Sequence, residues 1–229
     1  MRKAVIVVGK VPRPGEVKSR LARSLGEERA ARIYECFLLD TVEALSKLEG
    51  TDVVVSLLGG LLPSLRRIGP NVKVVPQRGS TFGGRLRNSV ADALGMGYRP
   101  VVLVGSDNPS LPPEAVAEAF EALKSCDVVI GPATDGGYYL IGMHRLHDSL
   151  FSDEIRWGTE RVLGQTLRRC HEEGLSVRLV RPWYDVDTVE DLRFLKAHIE
   201  GCLLSGEPIP CPRTARLLLD HLELDRLEE

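Results

Sequence analysis

Residues 101–112 read Val-Val-Leu-Val-Gly-Ser-Asp-Asn-Pro-Ser-Leu-Pro, and this stretch decides the fold. Its unbroken β-branched and aliphatic start is typical of a strand buried on both faces of a parallel sheet. The strand runs into Asp107, and ligands of open α/β sheets bind beyond the carboxyl ends of the strands. Asp107 is therefore a candidate ligand for a divalent cation. An Asx turn or a cap for a helix over 112–124 explains the same residues equally well.

Strand-like and helix-like segments alternate on both sides of this stretch, which predicts βαβ units and a doubly wound, mostly parallel sheet of the α/β class. The predicted strands are 4–8, 52–57, 72–76, 101–105, 127–131, 138–142 and 175–180. The predicted helices are 27–48, 84–94, 113–124, 159–173 and 189–199. The strand 138–142 follows 127–131 too closely for a helical crossover, so we expect it to be an antiparallel member.

The character of the chain changes at residue 201. Residues 201–212 hold two glycines and three prolines, which predicts a linker. Leucines recur at helical spacing over 213–227, which predicts an amphipathic helix. We therefore expect one α/β domain over 1–200 and a helical appendage over 201–229. That helix packs on its own domain or, alternatively, forms a homodimer contact.

Composition limits the classes of partner. The 229 residues contain 43% hydrophobic residues and carry a formal net charge of −2, so no global positive field favours nucleic acid. No apolar run is long enough for a signal peptide or a membrane span, so we expect a cytoplasmic protein. The five cysteines form no C-x-x-C pair, and we expect free thiols, with a Cys202–Cys211 bridge as the alternative.

The loop over 9–21 follows the first strand and combines two glycines with Lys10, Arg13, Lys18 and Arg20. Glycines let main-chain N–H groups approach an anion, and Lys and Arg supply charge for phosphate. The loop contains neither a Walker A pattern nor the G-x-G-x-x-G fingerprint. A solvated basic loop is the alternative.

Two further glycine-rich turns are candidate ligand sites. Residues 77–85 hold Gln77, Arg78 and Arg85 before a helix, whose free N–H groups favour an anion. Residues 131–139 contain Asp135-Gly136-Gly137, where Asp135 is a candidate base for an acceptor hydroxyl. A hairpin turn explains the second of these stretches without any function.

A second pair of carboxylates lies in Asp185-Val186-Asp187-Thr188. Asp187 or Thr188 suits a helix cap. Asp187 together with Asp107 also meets the needs of Mg²⁺, which takes one or two carboxylates beside substrate phosphates and waters.

Four stretches together resemble the DUF2064 family, which is placed in the nucleotide-diphospho-sugar transferase superfamily with the glycosyltransferase A (GT-A) fold. They are residues 12–22, 105–112, 131–142 and 185–188. The Lys18-Ser19-Arg20-Leu21-Ala22 loop and the Asp-Gly-Gly turn are also similar to phospholactate guanylyltransferases. The resemblance covers about residues 1–199 and implies that Asp107 and Asp187 bind Mg²⁺ or Mn²⁺.

The resemblance also implies a nucleotide over the first loop, near Gly9, Lys18 and Arg20. We add Gln77 and Arg85 to this nucleotide site and predict catalytic roles for Asp107, Asp135 and Lys18. The predicted acceptor site comprises Thr134, Gly136, Gly137 and Trp157. Two departures from the family pattern fall there: Thr81-Phe82 stands where an acidic residue is usual, and Trp157-Gly158-Thr159 replaces Trp-Ser-Thr.

These observations predict a Mg²⁺-dependent transferase that uses a nucleotide donor and a small-molecule acceptor. The first expectation is glycosyl transfer from a nucleotide sugar. The alternative is nucleotidyl transfer from a nucleoside triphosphate, in the manner of a guanylyltransferase, because a basic loop suits a donor of high charge. A non-catalytic nucleotide-binding protein is a third possibility.

Overall fold

The computed structural model describes residues 2–221 as seven strands, seven α-helices and two 3₁₀ helices. The strands are β1 (Lys3–Lys10), β2 (Thr51–Leu58), β3 (Val72–Pro76), β4 (Val101–Gly105), β5 (Val128–Pro132), β6 (Tyr138–Met143) and β7 (Val177–Leu179). The helices are α1 (Ser19–Leu25), α2 (Glu27–Ser46), α3 (Phe82–Gly95), α4 (Pro113–Ala122), α5 (Val162–Glu172), α6 (Val189–Ser205) and α7 (Pro212–His221). The 3₁₀ helices are Leu65–Arg67 and Asp148–Phe151.

All seven strands form one sheet in the order β3-β2-β1-β4-β6-β5-β7. Strand β6 is antiparallel to both of its neighbours, and every other pairing between these strands is parallel. This confirms the predicted α/β class and the predicted antiparallel strand. The short turn between β5 and β6 permits only the antiparallel arrangement.

Helices cover both faces of the sheet, which explains the unbroken apolar runs of its central strands. In β1, Val5 and Val7 belong to the core layer shared with α2 and α4, whereas Ala4 and Ile6 belong to the layer shared with α3 and α5. Alternate residues of a strand point to opposite faces, so a strand covered on both sides is apolar at every position.

Most predicted bounds differ from the structure by one to three residues, and three differences are larger or concern the site. Residues 19–25 form helix α1, although the sequence predicted a loop there. Helix α5 begins at Val162 rather than at 159, after a turn in which Thr159 Oγ1 donates to Arg156 O. Helix α6 continues to Ser205 and ends at Gly206, which has the left-handed conformation (φ 72°), so the connection to α7 is shorter than the predicted linker 201–212.

The amphipathic helix predicted over 213–227 is present as α7, and residues 222–227 of that prediction lie outside the described residues. Ala215, Leu217 and Leu218 are buried in one cluster with α1, α2 and α6. This contact supports packing on the chain's own domain. The division at residue 200 and a homodimer contact stay predictions.

Two further predictions concern the pairing of the cysteines and a possible membrane span. All five cysteines are free, and Cys202 and Cys211 are both buried as thiols, so the alternative disulfide is absent from this structure. Within residues 2–221 no helix is both long and apolar enough to cross a membrane.

The topology brings the functional candidates to one edge. Because β6 is antiparallel to both β4 and β5, strands β1 to β5 and β7 all run in the same direction. The segments that follow these strands therefore meet at a single carboxyl edge of the sheet, where α/β folds bind ligands.

Candidate functional site

A cavity of about 530 Å³ opens at this carboxyl edge. The segments that follow β1, β3 and β4 contribute to its wall, as do the start of β6 and the loops at 157–162 and 185–187. Among the predicted site residues, those that line it are Gly9, Lys18, Arg20, Gln77, Arg85, Asp107, Gly137, Trp157 and Asp187. The fold thus assembles residues that lie up to 178 positions apart, from Gly9 to Asp187.

Lys18 joins the two predicted metal ligands. Its Nζ lies 2.5 Å from Asp107 Oδ1 and 2.8 Å from Asp187 Oδ1, and it donates to Val186 O at 2.7 Å. The side chain is only 4% exposed. Burial opposes its charge, but the two carboxylates outweigh that effect and raise the pKa of Lys18.

The backbone of Lys18 has the left-handed conformation, with φ 47° and ψ 49°, immediately before α1. This conformation costs a non-glycine residue about 1–3 kcal/mol and persists where surrounding contacts hold it. At Lys18 those contacts are the three hydrogen-bonding partners of its ammonium group.

The structure excludes a helix cap as the role of Asp107. Pro112 precedes the first turn of α4, and no side chain caps that helix. The carboxylate of Asp107 faces the cavity, contacts Lys18 and keeps 44% of its side chain exposed. The helix-cap alternative for Asp107 is therefore wrong.

Asp187 likewise does not cap a helix. Thr188 caps α6 in a capping box with Asp191, and Asp191 also accepts a hydrogen bond from the Asp187 main-chain N–H. Burial raises the pKa of the Asp187 carboxyl, but Lys18 and then Arg20 outweigh it, so the pKa is lowered. Asp187 is therefore an ionised carboxylate at the cavity wall.

These groups fit a divalent cation bound together with a ligand. Asp107 Oδ1 and Asp187 Oδ1 contact the same ammonium nitrogen, so both are within reach of one cation. Nearby, the buried Oδ1 of Asn108 has no hydrogen-bond partner, which leaves an oxygen available to a water or an ion. Within residues 2–221, no cluster of three or more His, Cys, Asp or Glu forms a complete protein-only site. A metal here needs substrate phosphates and waters, as Mg²⁺ usually does.

A third carboxylate, Asp185, lines the cavity behind this pair. Burial raises its pKa to about 7, against the opposing effect of a 2.7 Å hydrogen bond from Asn108 Nδ2. Neither Asp185 nor Asn108 was among the predicted site residues. Both stood in the quoted motifs, but no spacing rule distinguishes an inward-facing carboxylate from its neighbours.

Two hydroxyl groups, those of Tyr34 and Ser106, lie beside Gly9 at the start of the first loop. Tyr34 Oη accepts a hydrogen bond from Lys10 N at 2.9 Å and contacts Ser106 Oγ at 2.8 Å. A Cβ on Gly9 would lie 3.1 Å from Tyr34 Oη and 3.2 Å from Ser106 Oγ, so glycine avoids a tight contact with both hydroxyl groups. The sequence placed Tyr34 on the apolar face of α2, where its hydroxyl gave no separate signal.

The second glycine-rich turn contributes one arginine to the cavity. Arg85 lines the cavity, and its Nη1 donates to Ser80 O. Arg78 instead pairs with Asp92 on the outer side of α3. Gln77 lines the wall where β3 ends, and Thr81 caps α3 by accepting from Gly84 N.

The Asp135-Gly136-Gly137 turn is a hairpin turn between the antiparallel strands β5 and β6. Asp135 Oδ1 accepts a hydrogen bond from Gly137 N at 2.8 Å, and Gly136 has φ 90°. Thr134, Asp135 and Gly136 are not among the residues that line the cavity, whereas Gly137 is. The structure therefore does not bring the predicted base Asp135 to the cavity.

Aromatic side chains form the wall beside Gly137. Trp157 meets Phe82 edge-on at 5.4 Å and Tyr138 edge-on at 6.3 Å between ring centroids. Phe82 keeps 50% of its surface exposed at the cavity. Gly83 allows Trp157 to pack against the start of α3, because a Cβ on residue 83 would lie 2.6 Å from Trp157 Nε1. Phe82 was noted only as a departure from the family pattern.

Comparison with known proteins shows the family of the chain. The model of the family described as "Uncharacterized protein conserved in bacteria (DUF2064)" matches residues 41–159, more than half of the chain. The chain belongs to the DUF2064 family. This confirms the resemblance inferred from the sequence.

Two relatives of this DUF2064 protein carry functional names. A crystal structure from Desulfovibrio desulfuricans G20, named "putative nucleotide-diphospho-sugar transferase", is 34% identical, with a TM-score of 0.85, and the match covers 99% of this chain and 96% of that one. The 2-phospho-L-lactate guanylyltransferase of Methanopyrus kandleri is 28% identical over 183 residues, which are 78% of this chain and 84% of the relative. These names confirm the predicted class, a nucleotide-dependent transferase.

A more distant match shows the fold alone. The 4-diphosphocytidyl-2C-methyl-D-erythritol synthase of Anaerococcus prevotii DSM 20548 is 12% identical, with a TM-score of 0.57 over 87% of this chain and 96% of that one. Together with the Desulfovibrio structure, this match confirms the predicted GT-A type of fold for the DUF2064 chain.

Proposed function

We propose that this protein is a metal-dependent nucleotidyltransferase, which transfers a nucleotide from a nucleoside triphosphate to a small acceptor that already carries a phosphate. The contact that carries this proposal is the one between buried Lys18, Asp107 and Asp187 at the cavity wall. At the carboxyl edge of the sheet it brings together a cation that can bind phosphate and two carboxylates that can bind a metal.

The charges near this contact suit a donor of high negative charge. Arg20 Nη1 lies 3.8 Å from Asp187 Oδ2, and Lys10 and Arg85 also line the cavity. Arginine presents a planar fork to phosphate oxygens, and lysine presents a point charge. We assign to Lys18, Arg20 and Arg85 the task of binding and orienting the triphosphate.

Asp107 and Asp187 would hold the divalent metal. When bound, Mg²⁺ or Mn²⁺ neutralises charge on the phosphates as the leaving group departs. The Gly9–Lys10 segment, whose Lys10 N–H donates to Tyr34 Oη, is assigned to the nucleotide side of the cavity. Gly137 and Trp157 are assigned to the acceptor side.

An acceptor that carries a phosphate can attack at phosphorus without a base from the protein. An alcohol acceptor needs a group to remove its proton; the Asp135 carboxylate binds Gly137 N and is not among the lining residues, so this task would fall to Asp185, whose pKa burial raises to about 7. A phosphate oxygen is already an anionic nucleophile. Its attack on the α-phosphorus forms one P–O bond and breaks the bond to the β-phosphate, which releases pyrophosphate.

Glycosyl transfer is the second candidate. It is favoured by the name and the 34% identity of the Desulfovibrio structure. This reaction would release a nucleoside diphosphate from a nucleotide sugar, so the two candidates differ in their products.

The test is product analysis with both classes of donor. The enzyme is incubated with Mg²⁺, 2-phospho-L-lactate or another phosphorylated hydroxy acid, and each nucleoside triphosphate or nucleotide sugar in turn. We expect pyrophosphate from one triphosphate, and loss of that product in Asp107→Asn. Glu121→Gln, in an exposed ion pair with Lys124, is the matched control and should retain activity.

Release of a nucleoside diphosphate from a nucleotide sugar would replace the proposal with glycosyl transfer. Tight nucleotide binding without turnover of any donor would favour the non-catalytic alternative.

A further inference from the structure

The ammonium group of Lys18 lies at the point where a metal would bind to Asp107 and Asp187. The three N–H groups of an ammonium can serve three acceptors. Those of Lys18 serve Asp107, Asp187 and Val186 O, at 2.5, 2.8 and 2.7 Å. A divalent ion that binds the same two carboxylates must displace this ammonium group or be repelled by its positive charge.

The rest of the enclosure also favours the ammonium in this position. Lys18 Nζ lies 5.9 Å from the ring centroid of Tyr34 and 5.5 Å from that of Phe37, within the range of cation–π attraction. Aromatic faces of this kind stabilise a cation without supplying ligands to a metal. They therefore add to the preference for lysine while phosphates are absent.

The backbone conformation of Lys18, by contrast, favours release of its ammonium group from the two carboxylates. Lys18 has φ 47°, in the left-handed region, and it directly precedes α1, whose first turn carries Arg20. A strained conformation relaxes when the contacts that hold it are replaced. Phosphate oxygens offer the ammonium new partners of the same charge as the carboxylates, so a bound nucleotide can replace those contacts.

We infer that Lys18 is a tethered cation that keeps free divalent metal off Asp107 and Asp187 until nucleotide phosphates take over its ammonium group. The inference rests on the proposed function, because it assumes a nucleotide and a metal at this site. Its consequence is that metal and nucleotide bind together, each raising the affinity of the other by the same factor.

The experiment measures binding of Mn²⁺ to the metal-free full-length protein, by ultrafiltration and by loss of the free-ion electron spin resonance signal. Each variant is measured alone and with the α,β-methylene analogues of the four nucleoside triphosphates, which are not turned over at the α-phosphorus. The variants are Lys18→Met and Lys18→Gly, and glycine also suits the positive φ. Lys124→Met, which removes an exposed lysine paired with Glu121, is the matched control.

We expect Mn²⁺ alone to bind the Lys18 variants more tightly than wild type by a factor between about 5 and 150, the usual range of coupling between two sites. The Lys124 variant should match wild type. Adding Asp107→Asn to Lys18→Met should abolish the gain, which would locate the new binding at the carboxylate pair. With an analogue that binds, wild type should retain Mn²⁺ and nucleotide together.

Equal affinity of wild type and both Lys18 variants for Mn²⁺ alone would overturn the inference, because lysine would then not compete with the metal. That result leaves the proposed function standing if wild type still binds an analogue and Mn²⁺ together. If wild type binds no analogue with or without Mn²⁺, the proposed function fails and the inference fails with it.

Discussion

The carboxylate of Asp40, on α2, accepts a hydrogen bond of 2.8 Å from the main-chain N–H of Thr214, in the first turn of α7. The Arg213 main-chain N–H donates to the other carboxylate oxygen at 3.1 Å. Helix α7 is thus capped by a buried side chain 174 residues away. This is the task that an N-cap residue usually performs for its own helix.

Asp40→Ala should destabilise the protein by about 2 kcal/mol, because two N–H groups at the start of α7 lose their acceptor. Urea unfolding measures the change. Asp220→Ala is the control, since Asp220 is exposed on the same helix and pairs loosely with Arg216. Equal losses in the two variants would contradict the capping role.

Tyr34→Phe should weaken nucleotide binding and cost about 1 kcal/mol of stability, because Lys10 N and Ser106 Oγ lose the shared hydroxyl. Tyr98→Phe is the matched control, because its hydroxyl binds Asp52 and Lys73 away from the cavity. The control should lose stability and keep its nucleotide affinity, which titration calorimetry distinguishes. If both variants bind nucleotide like wild type, Tyr34 does not position the first loop.

Gly83→Ala should move Trp157 and cost about 1–3 kcal/mol, because the added Cβ would lie 2.4 Å from Phe151 O and 2.6 Å from Trp157 Nε1. Gly95→Ala, at the other end of α3, meets nothing within 4 Å and should be neutral or stabilising. Tryptophan fluorescence in a Trp183→Phe background reports on Trp157. An unchanged emission spectrum in Gly83→Ala would refute the close contact.

The stability of the metal-free protein should fall as pH rises from about 4 to 7 on account of Asp185. Burial raises the pKa of Asp185 to about 7, from about 3.9 in an unfolded chain. Over that interval the folded protein holds a proton that the unfolded chain has lost, so rising pH favours unfolding.

Asp185→Asn removes this dependence. Its stability should exceed that of wild type by an amount that grows from pH 4 to 7 and is then constant, on the order of a few kcal/mol. Urea unfolding at pH 5 and pH 8 measures the difference, with the exposed Asp153→Asn as control. A difference that is equal at both pH values would show that Asp185 does not titrate in this interval.

The strands of the sheet could be predicted because burial on both faces gives each of them an unbroken apolar run in the sequence. Residues 72–76 and 101–105 were predicted with the bounds observed, since apolar runs there begin and end abruptly. The antiparallel strand followed from a connection too short for a helix. Helix α1 was missed because glycines, prolines and charges before it gave residues 9–21 the composition of a loop.

The site was predictable at the ends of strands and less so within turns. Asp107, Asp187 and Lys18 follow strands or lie in the first loop, and the fold brings them into contact. Asp135 illustrates the limit, because a carboxylate that stabilises a turn and one that serves a substrate look alike in sequence. The inward position of Asp185 depends on tertiary burial, which has no local signature.

The acidic side and the aromatic side of the cavity wall are held by different hydrogen bonds. The aromatic wall of Phe82, Tyr138 and Trp157 shares none of the hydrogen bonds that hold Lys18, Asp107 and Asp187. Substitutions at 82 and 157–162 can therefore accumulate without disturbing the acidic pair. One catalytic core could in this way be adapted to a series of different acceptors, and libraries for directed evolution are best confined to these positions.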